Sequence, residues 1–309
     1  MTSTDQLAQA SERLRSASPV FIVGHPRSGT SMLFAALLGH PSFQTRAMDL
    51  HESQIMRRLA TAFAWNDTRP RQLLGFMLGN RDEYGAFLAE TEHLRRSTLL
   101  TAPAAVPLRG RIPLSVWKRQ KLHLVVRSYF SHAWTARGCH RLVDKSPRHV
   151  PHIERLQVVS PNCKMLFIAR HPVDTLASYR SRAKRDPNAR WAHVSPKKFM
   201  KIYREGVGGA LQARKRSDAA LLITRYEDFT LAPTAEFERI CTFLDEPFVE
   251  GSLEGSTGTH LKARASSLLY GPVAMNKSHW KAEVDTATAQ QVERELSDLM
   301  HLMEYEPYT

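Results

Sequence analysis

The feature that most constrains this chain is a short, β-branched apolar run that stops on a glycine turn. Pro19-Val-Phe-Ile-Val-Gly24 has no polar side chain, and Gly24-His-Pro-Arg-Ser-Gly29-Thr30-Ser31 follows at once. A run of that length closed by Gly reads as a buried strand. From Gly29 to Leu38 small and apolar residues recur at helical spacing, so a helix starts at the second glycine. Strand, glycine loop and helix together open a parallel α/β unit.

The remaining pattern extends that unit. Strands are predicted at 141–144, 164–169 and 220–224, with helical patterns at 149–158, 172–184 and 196–216 around them. Two more helices are predicted at 233–244 and about 286–300. Alternating strands and helices imply an α/β fold with a P-loop-type central parallel sheet flanked by helices. From Glu52 to about Trp134 the pattern is mostly helical, broken by Pro70, Pro103, Pro107 and Pro113. No repeat or low-complexity linker divides the chain, so residues 1–309 are expected to form one domain. Ligands of such sheets bind outside the carboxyl ends of the strands, so the residues at those ends carry the most information.

Gly24 to Ser31 has the spacing GxxxxGx[ST] between a strand and a helix. Glycines let the backbone curl until its N–H groups and the helix N-terminus face an anion. Ser28, Thr30 and Ser31 can add hydroxyl donors. A P-loop NTPase has Lys just before the final Ser/Thr, reaching the β- and γ-phosphates. Here that position is Thr30, and the cation stands earlier, at Arg27. Such a loop can hold a 5′-phosphate but lacks the lysine used in γ-phosphoryl transfer. The bland alternative is a glycine turn without a ligand.

Pro26-Arg-Ser-Gly-Thr-Ser31 resembles the 5′-phosphosulfate loop of the sulfotransferases that use 3′-phosphoadenosine-5′-phosphosulfate (PAPS). It is most similar to the subgroup that includes the tyrosylprotein sulfotransferases and many bacterial relatives. The resemblance implies PAPS as co-substrate, 3′,5′-ADP as product and a hydroxyl-bearing acceptor, which a small molecule, glycan, lipid or peptide would each satisfy. It implies cofactor contacts from Arg27, Ser28, Gly29, Thr30 and Ser31.

Lys164 to Arg182 reads as a buried strand ending at Arg170, then a helix opened by His171-Pro172. Ser178 and Arg182 are four apart and share a helix face next to Arg170. Two guanidinium groups and a hydroxyl at a sheet edge suit a phosphate dianion; the plain alternative is a charged helix with snorkelling arginines. The family resemblance extends here and implies that Arg170, Ser178 and Arg182 hold the 3′-phosphate. Arg225-Tyr226-Glu227-Asp228 resembles a family segment whose Tyr lies near the nucleotide. Ser266 to Trp280 resembles the loop that closes over the cofactor, implying contacts from Trp280 and from Lys277 or Lys281.

Sulfuryl transfer needs a general base for the acceptor hydroxyl and cations at the leaving oxygen. Asp144-Lys145-Ser146-Pro147-Arg148 resembles the family's lysine-bearing segment after a strand. Arg27 and Lys145 are assigned as the cations. The base in tyrosylprotein-type enzymes is a Glu downstream of the loop; this sequence has Met48 at that offset, with Asp49, His51 and Glu52 beside it. Glu52 is the first candidate and His51, whose ordinary pKa suits a base near neutrality, the second. A carboxylate that merely opens a helix is the structural alternative for Glu52. No metal is expected, because His and carboxylates do not fall into ligand spacing.

Formal net charge is +13, from 43 Lys plus Arg against 30 Asp plus Glu. Such a balance favours an anionic partner. The basic residues are scattered, which argues for a small polyanion and against nucleic acid. Cys139, Cys163 and Cys241 form no CxxC pair and read as reduced thiols of a cytoplasmic protein. No apolar run approaches the ~20 residues that span a bilayer. Two rivals stay open here: a P-loop small-molecule kinase, and a non-enzymatic nucleotide-binding protein. The sequence carries no sign of oligomeric state.

Overall fold

The computed structural model describes residues 13, 14, 16–44, 52, 56, 126, 127, 130, 131, 134, 138–216, 220–254 and 280–309. The first half of the described chain runs β1 (Val20–Gly24), α1 (Thr30–Gly39), β2 (Val143–Lys145), α2 (Ile153–Val159), β3 (Lys164–Ala169) and α3 (Pro172–Arg185). It continues through α4 (Pro196–Tyr203), α5 (Gly209–Arg216), β4 (Leu221–Arg225), α6 (Tyr226–Leu231) and α7 (Pro233–Leu244). Three helices follow: α8 (Trp280–Glu283), α9 (Thr286–Glu295) and α10 (Ser297–Leu302). Most of the proline-broken stretch 53–140, Trp117 included, lies outside the described residues.

The strands form one sheet in the order β2–β1–β3–β4, and every pair is parallel. This is the α/β architecture that the alternating pattern implies. Strand residues are apolar on both faces because helices cover both. Phe21, Val23, Met165, Phe167, Leu221 and Ile223 pack on one side with residues of α2 to α5, α9 and α10. Val20, Ile22, Leu166 and Ile168 alternate with them and pack on the other side with α1 and α7. Val20, Ile22 and Val23 are 0% exposed.

Parallel pairing sets Ile22 opposite Lys145, Gly24 opposite Ile168 and Ala169 opposite Arg225. The carboxyl ends of all four strands therefore share one edge, bringing together the loop after Gly24 and the residues Lys145, Arg170 and Tyr226. With β2 on one side of β1 and β3 on the other, strand order reverses beside β1. The ligand crevice of such a sheet opens at that point.

Three predicted helices differ in detail. The pattern at 149–158 begins as a 3₁₀ turn, Pro147–His152, and becomes α-helical only in α2. Pro151 has no N–H for the α-helical ladder. The pattern at 196–216 is split into α4 and α5 by a π turn, Arg204–Gly208, where Gly206, Gly208 and Gly209 loosen the backbone. The last pattern breaks at Leu296, whose φ of −113° and ψ of 13° are not helical. Among the described residues no helix is long and apolar enough to cross a membrane.

Candidate active site

The loop between β1 and α1 is held by its own backbone. Ser28 N donates to His25 O at 3.2 Å. The Ser28 hydroxyl lies 2.5 Å from His25 O and 2.8 Å from Ile168 O. That hydroxyl, expected to face an anion, is thus committed to main-chain carbonyls, and Ser28 shapes the loop. Arg27 takes φ 74° and Gly29 φ 100°. Gly29 is required twice over: its φ is left-handed, and a Cβ there would meet Tyr226 Cδ2 at 2.6 Å.

Gly29 caps α1 with no side-chain hydrogen bond, and the first turn of α1 has no acidic residue. The helix N-terminus is therefore an open positive end, suited to an anion. Thr30 is buried at its start and Ser31 half-buried beside it.

The second site sits against this loop. Arg27 Nε donates to Ser178 Oγ at 3.1 Å, joining the loop to α3. Arg170 is 8% exposed, its Cζ lies 4.5 Å from the centre of the Tyr226 ring, and its Nε has no hydrogen-bond partner among the described residues. Tyr203 Oη fixes the Arg170 backbone by donating to its carbonyl at 2.8 Å. Arg182 donates to Asp186 Oδ2 at 2.7 Å on the outer turns of α3. Burial lowers the proton affinity of Arg27 first, and the charges of Arg185, Arg182 and Arg170 lower it further. Four guanidinium groups that act on one another's charge, with a buried Nε left over, make this region strongly positive and suited to an anion.

Lys145 closes β2 at the same edge. Its Nζ lies 2.9 Å from Glu52 Oε1, with the lysine side chain 12% and the glutamate side chain 33% exposed. Nearby, Met56 N donates to His149 Nε2 at 3.3 Å, tying the segment that carries Glu52 to the turn after β2. The lysine and the carboxylate that the sequence analysis singled out thus stand one hydrogen bond apart. Tyr179 feels both Glu52 and Arg27. Burial pushes its phenol up to about 12, while Arg148 and Arg27 pull it down and Glu52 pushes it up.

The structure thus brings together Arg27, Ser28, Gly29, Thr30, Ser31, Arg170, Ser178, Tyr226, Lys145 and Glu52, with Arg182 on the outer turns of α3. Trp280 is buried at the start of α8, which packs on α3 through Arg180, whose Nη1 donates to Glu283 O at 2.9 Å. Lys281 Nζ lies 5.7 Å from the Trp280 ring centre. His51 and Lys277 lie outside the described residues. Sequence reasoning assigned no role to Arg148, Tyr179 or Arg185. Arg148 stood in the quoted segment after β2, and Tyr179 follows Ser178, but an aromatic inside a helix carries no signal of its own. Among the described residues no group of three or more His, Cys, Asp or Glu gathers to hold a metal ion.

A parallel α/β sheet with a glycine loop at its switch point, Thr30 where a P-loop NTPase has lysine, Arg27 within the loop and further arginines beside it is an arrangement of the P-loop-type folds suited to an anion. Residues 19–250 match the model of the sulfotransferase family, and the chain belongs to that family. Among solved structures it is similar to the sulfotransferase domain from the curacin biosynthetic pathway (18% identity, TM-score 0.55, covering 94% of this chain and 99% of that one). It is also similar to the sulfotransferase domain of the Synechococcus PCC 7002 olefin synthase (19% identity, TM-score 0.56, 94% and 96% covered). A third is sulfotransferase STF9 from Mycobacterium avium (14% identity, TM-score 0.51, 98% and 85% covered). At these identities the likeness speaks to the fold. No curated protein sequence matches the chain.

Proposed function

We propose that this sulfotransferase moves the sulfuryl group of PAPS onto an acceptor hydroxyl, with the whole cleft at the sheet edge as its active site. The observation that carries this reading is the Arg27 Nε to Ser178 Oγ contact of 3.1 Å, which merges the loop after β1 and the arginine site of α3 into one cleft. In this reading the loop and the α1 N-terminus hold the 5′ side of the nucleotide. Arg170, Ser178 and Arg182 take the 3′-phosphate, and Tyr226 lies between the two.

Bound PAPS supplies a sulfuryl group on a good leaving group. The acceptor oxygen forms the new S–O bond as the bond to the 5′-phosphate oxygen breaks. Glu52 takes the hydroxyl proton. Arg27 and Lys145 neutralise the charge that builds on the leaving phosphate oxygen, where donors already in place act without reorganisation. The residues of 53–140 are proposed to supply the acceptor pocket.

Calorimetry with 3′,5′-ADP and 5′-AMP tests the nucleotide half, since each charge-assisted bond to the 3′-phosphate contributes about 1.5–3 kcal/mol. Tighter binding of 3′,5′-ADP by tenfold or more is expected; equal affinities would remove the 3′-phosphate clamp. Transfer of labelled sulfuryl from PAPS should persist in EDTA. Activity lost in EDTA and restored by Mg²⁺ would turn the reading toward a kinase-like reaction.

A further inference from the structure

The segment 303–309 lies beyond the residues matched to the family, 19–250, and packs against His171 and Asp174 at the start of α3 and against Trp280 of α8. Tyr308 Oη donates to Asp174 Oδ2 at 3.0 Å. The same carboxylate oxygen lies 3.8 Å from Arg170 Nη2, an ion-pair distance too long for a hydrogen bond. The Tyr308 ring stacks on His171 with centroids 3.8 Å apart and planes 20° apart. It runs parallel to Trp280 at 6.1 Å and 9°.

The backbone of the segment is fixed at several points. Tyr308 N donates to Glu293 Oε1 at 2.6 Å, and the Thr309 hydroxyl donates to the other Glu293 oxygen. His171 Nε2 lies 3.1 Å from Glu306 O. Arg225 Nη1 donates to Met303 O at 3.2 Å and to Glu304 O at 2.6 Å. Glu293 is 6% exposed, so its carboxylate is matched to this segment and not to solvent.

Asp174 has a choice. A buried carboxylate in the first turn of α3 that faces a buried arginine at the end of β3 would ordinarily close on it bidentately and occupy the guanidinium fork. Here the Tyr308 hydroxyl holds the near oxygen, Asp174 stands back, and Arg170 Nε remains without a hydrogen-bond partner among the described residues. We propose that Tyr308 is a positioning residue: by engaging Asp174 it keeps the Arg170 fork open for the 3′-phosphate of the nucleotide. This inference rests on the reading of Arg170 as part of the 3′-phosphate clamp. It adds a role for a segment that neither phosphate motif includes.

Titrations of 3′,5′-ADP and 5′-AMP into the wild type, Tyr308→Phe, and Tyr308→Phe combined with Asp174→Asn test it, with thermal unfolding run alongside. Tyr308→Phe keeps both ring stacks and removes only the hydroxyl. It should weaken 3′,5′-ADP by about three- to tenfold, the range of one net hydrogen bond, while leaving 5′-AMP unchanged. Adding Asp174→Asn removes the competing charge and should restore 3′,5′-ADP affinity. Equal weakening of both nucleotides, an unchanged ratio, or a double variant no better than the single one would overturn the positioning role. A wild type that does not distinguish the two nucleotides would overturn the clamp itself, a separate and visible failure.

Discussion

Arg27 occupies φ 74°, a backbone state that costs an L-residue roughly 1–2 kcal/mol. Strain of this kind persists where the surroundings fix it, and here they do: Ser28 anchors the turn, and Ser178 receives Arg27 Nε. A lysine at this place would keep the charge and lose the fork. Arg27→Lys should therefore lower kcat by about 10²–10³, the range for one lost donor at a developing oxyanion. Steady-state kinetics within threefold of wild type would remove Arg27 from the transition state. Glu52 is a second case. If it takes the acceptor proton, Glu52→Gln should cost roughly 10²–10⁴ in kcat with nucleotide affinity almost unchanged. His51→Ala should cost much less; the reverse ranking would move the base to the imidazole.

The loop and α1 act as one unit, with the Tyr226 ring packed against Gly29. A Cβ on Gly29 would fall 2.6 Å from the Tyr226 ring at a φ of 100°, so neither the backbone nor the neighbour accommodates it. Gly29→Ala should weaken 3′,5′-ADP binding by at least tenfold and lower stability by about 1–3 kcal/mol, measurable by calorimetry and urea unfolding. This unit was legible in the sequence, because a strand, a glycine turn and a helix start leave a local signature. So were α7, predicted at 233–244 and found as Pro233–Leu244, and α3, predicted at 172–184 and found as Pro172–Arg185. Long amphipathic runs with a proline at the first turn mark their own limits. The order β2–β1–β3–β4 was not legible, since pairing depends on contacts far apart in sequence. The Lys145–Glu52 pair shows the same divide: each residue was chosen from a local segment, but their 2.9 Å separation comes only from the fold. Tyr308 was invisible for that reason, as no motif surrounds it.

Taken across the molecule, the cleft is flanked by two histidines that folding keeps neutral. His25 is 1% exposed, ringed by Tyr179, Phe199 and Tyr203, and burial lowers its pKa from 6.5 to about 4 against the opposing pull of the Pro26 carbonyl. His171, 2% exposed under Tyr308, is lowered to about 4, again mainly by burial. For both, and for His152, which burial also lowers to about 4, the unfolded chain binds a proton that the folded one refuses. Their contribution is therefore absent above pH 6.5, and stability falls as pH drops from 6.5 toward 4, then levels. At about 1.4 kcal/mol per pH unit, His25 and His171 each cost on the order of 3 kcal/mol at the bottom of that window. Glu227 runs the other way. Burial raises its pKa above 4.5, so the folded state takes up its proton first and gains stability as pH falls. Glu227 Oε1 accepts from His171 N at 2.8 Å, so its opposing term acts in the same corner of the molecule as His171. The lowered carboxylates, Glu246, Asp285 and Asp298, keep their contribution above their unfolded values of 4.5 and 3.8 and lose it as pH falls through them, at the lower end of the histidine window and beyond. Urea unfolding between pH 7 and 4.5 should thus show a falling stability, and Glu227→Gln, which keeps an acceptor for His171 N but removes the counter-term, should make the fall steeper. A flat profile in Glu227→Gln, where the counter-term is gone, would mean that the imidazoles are not held neutral by burial.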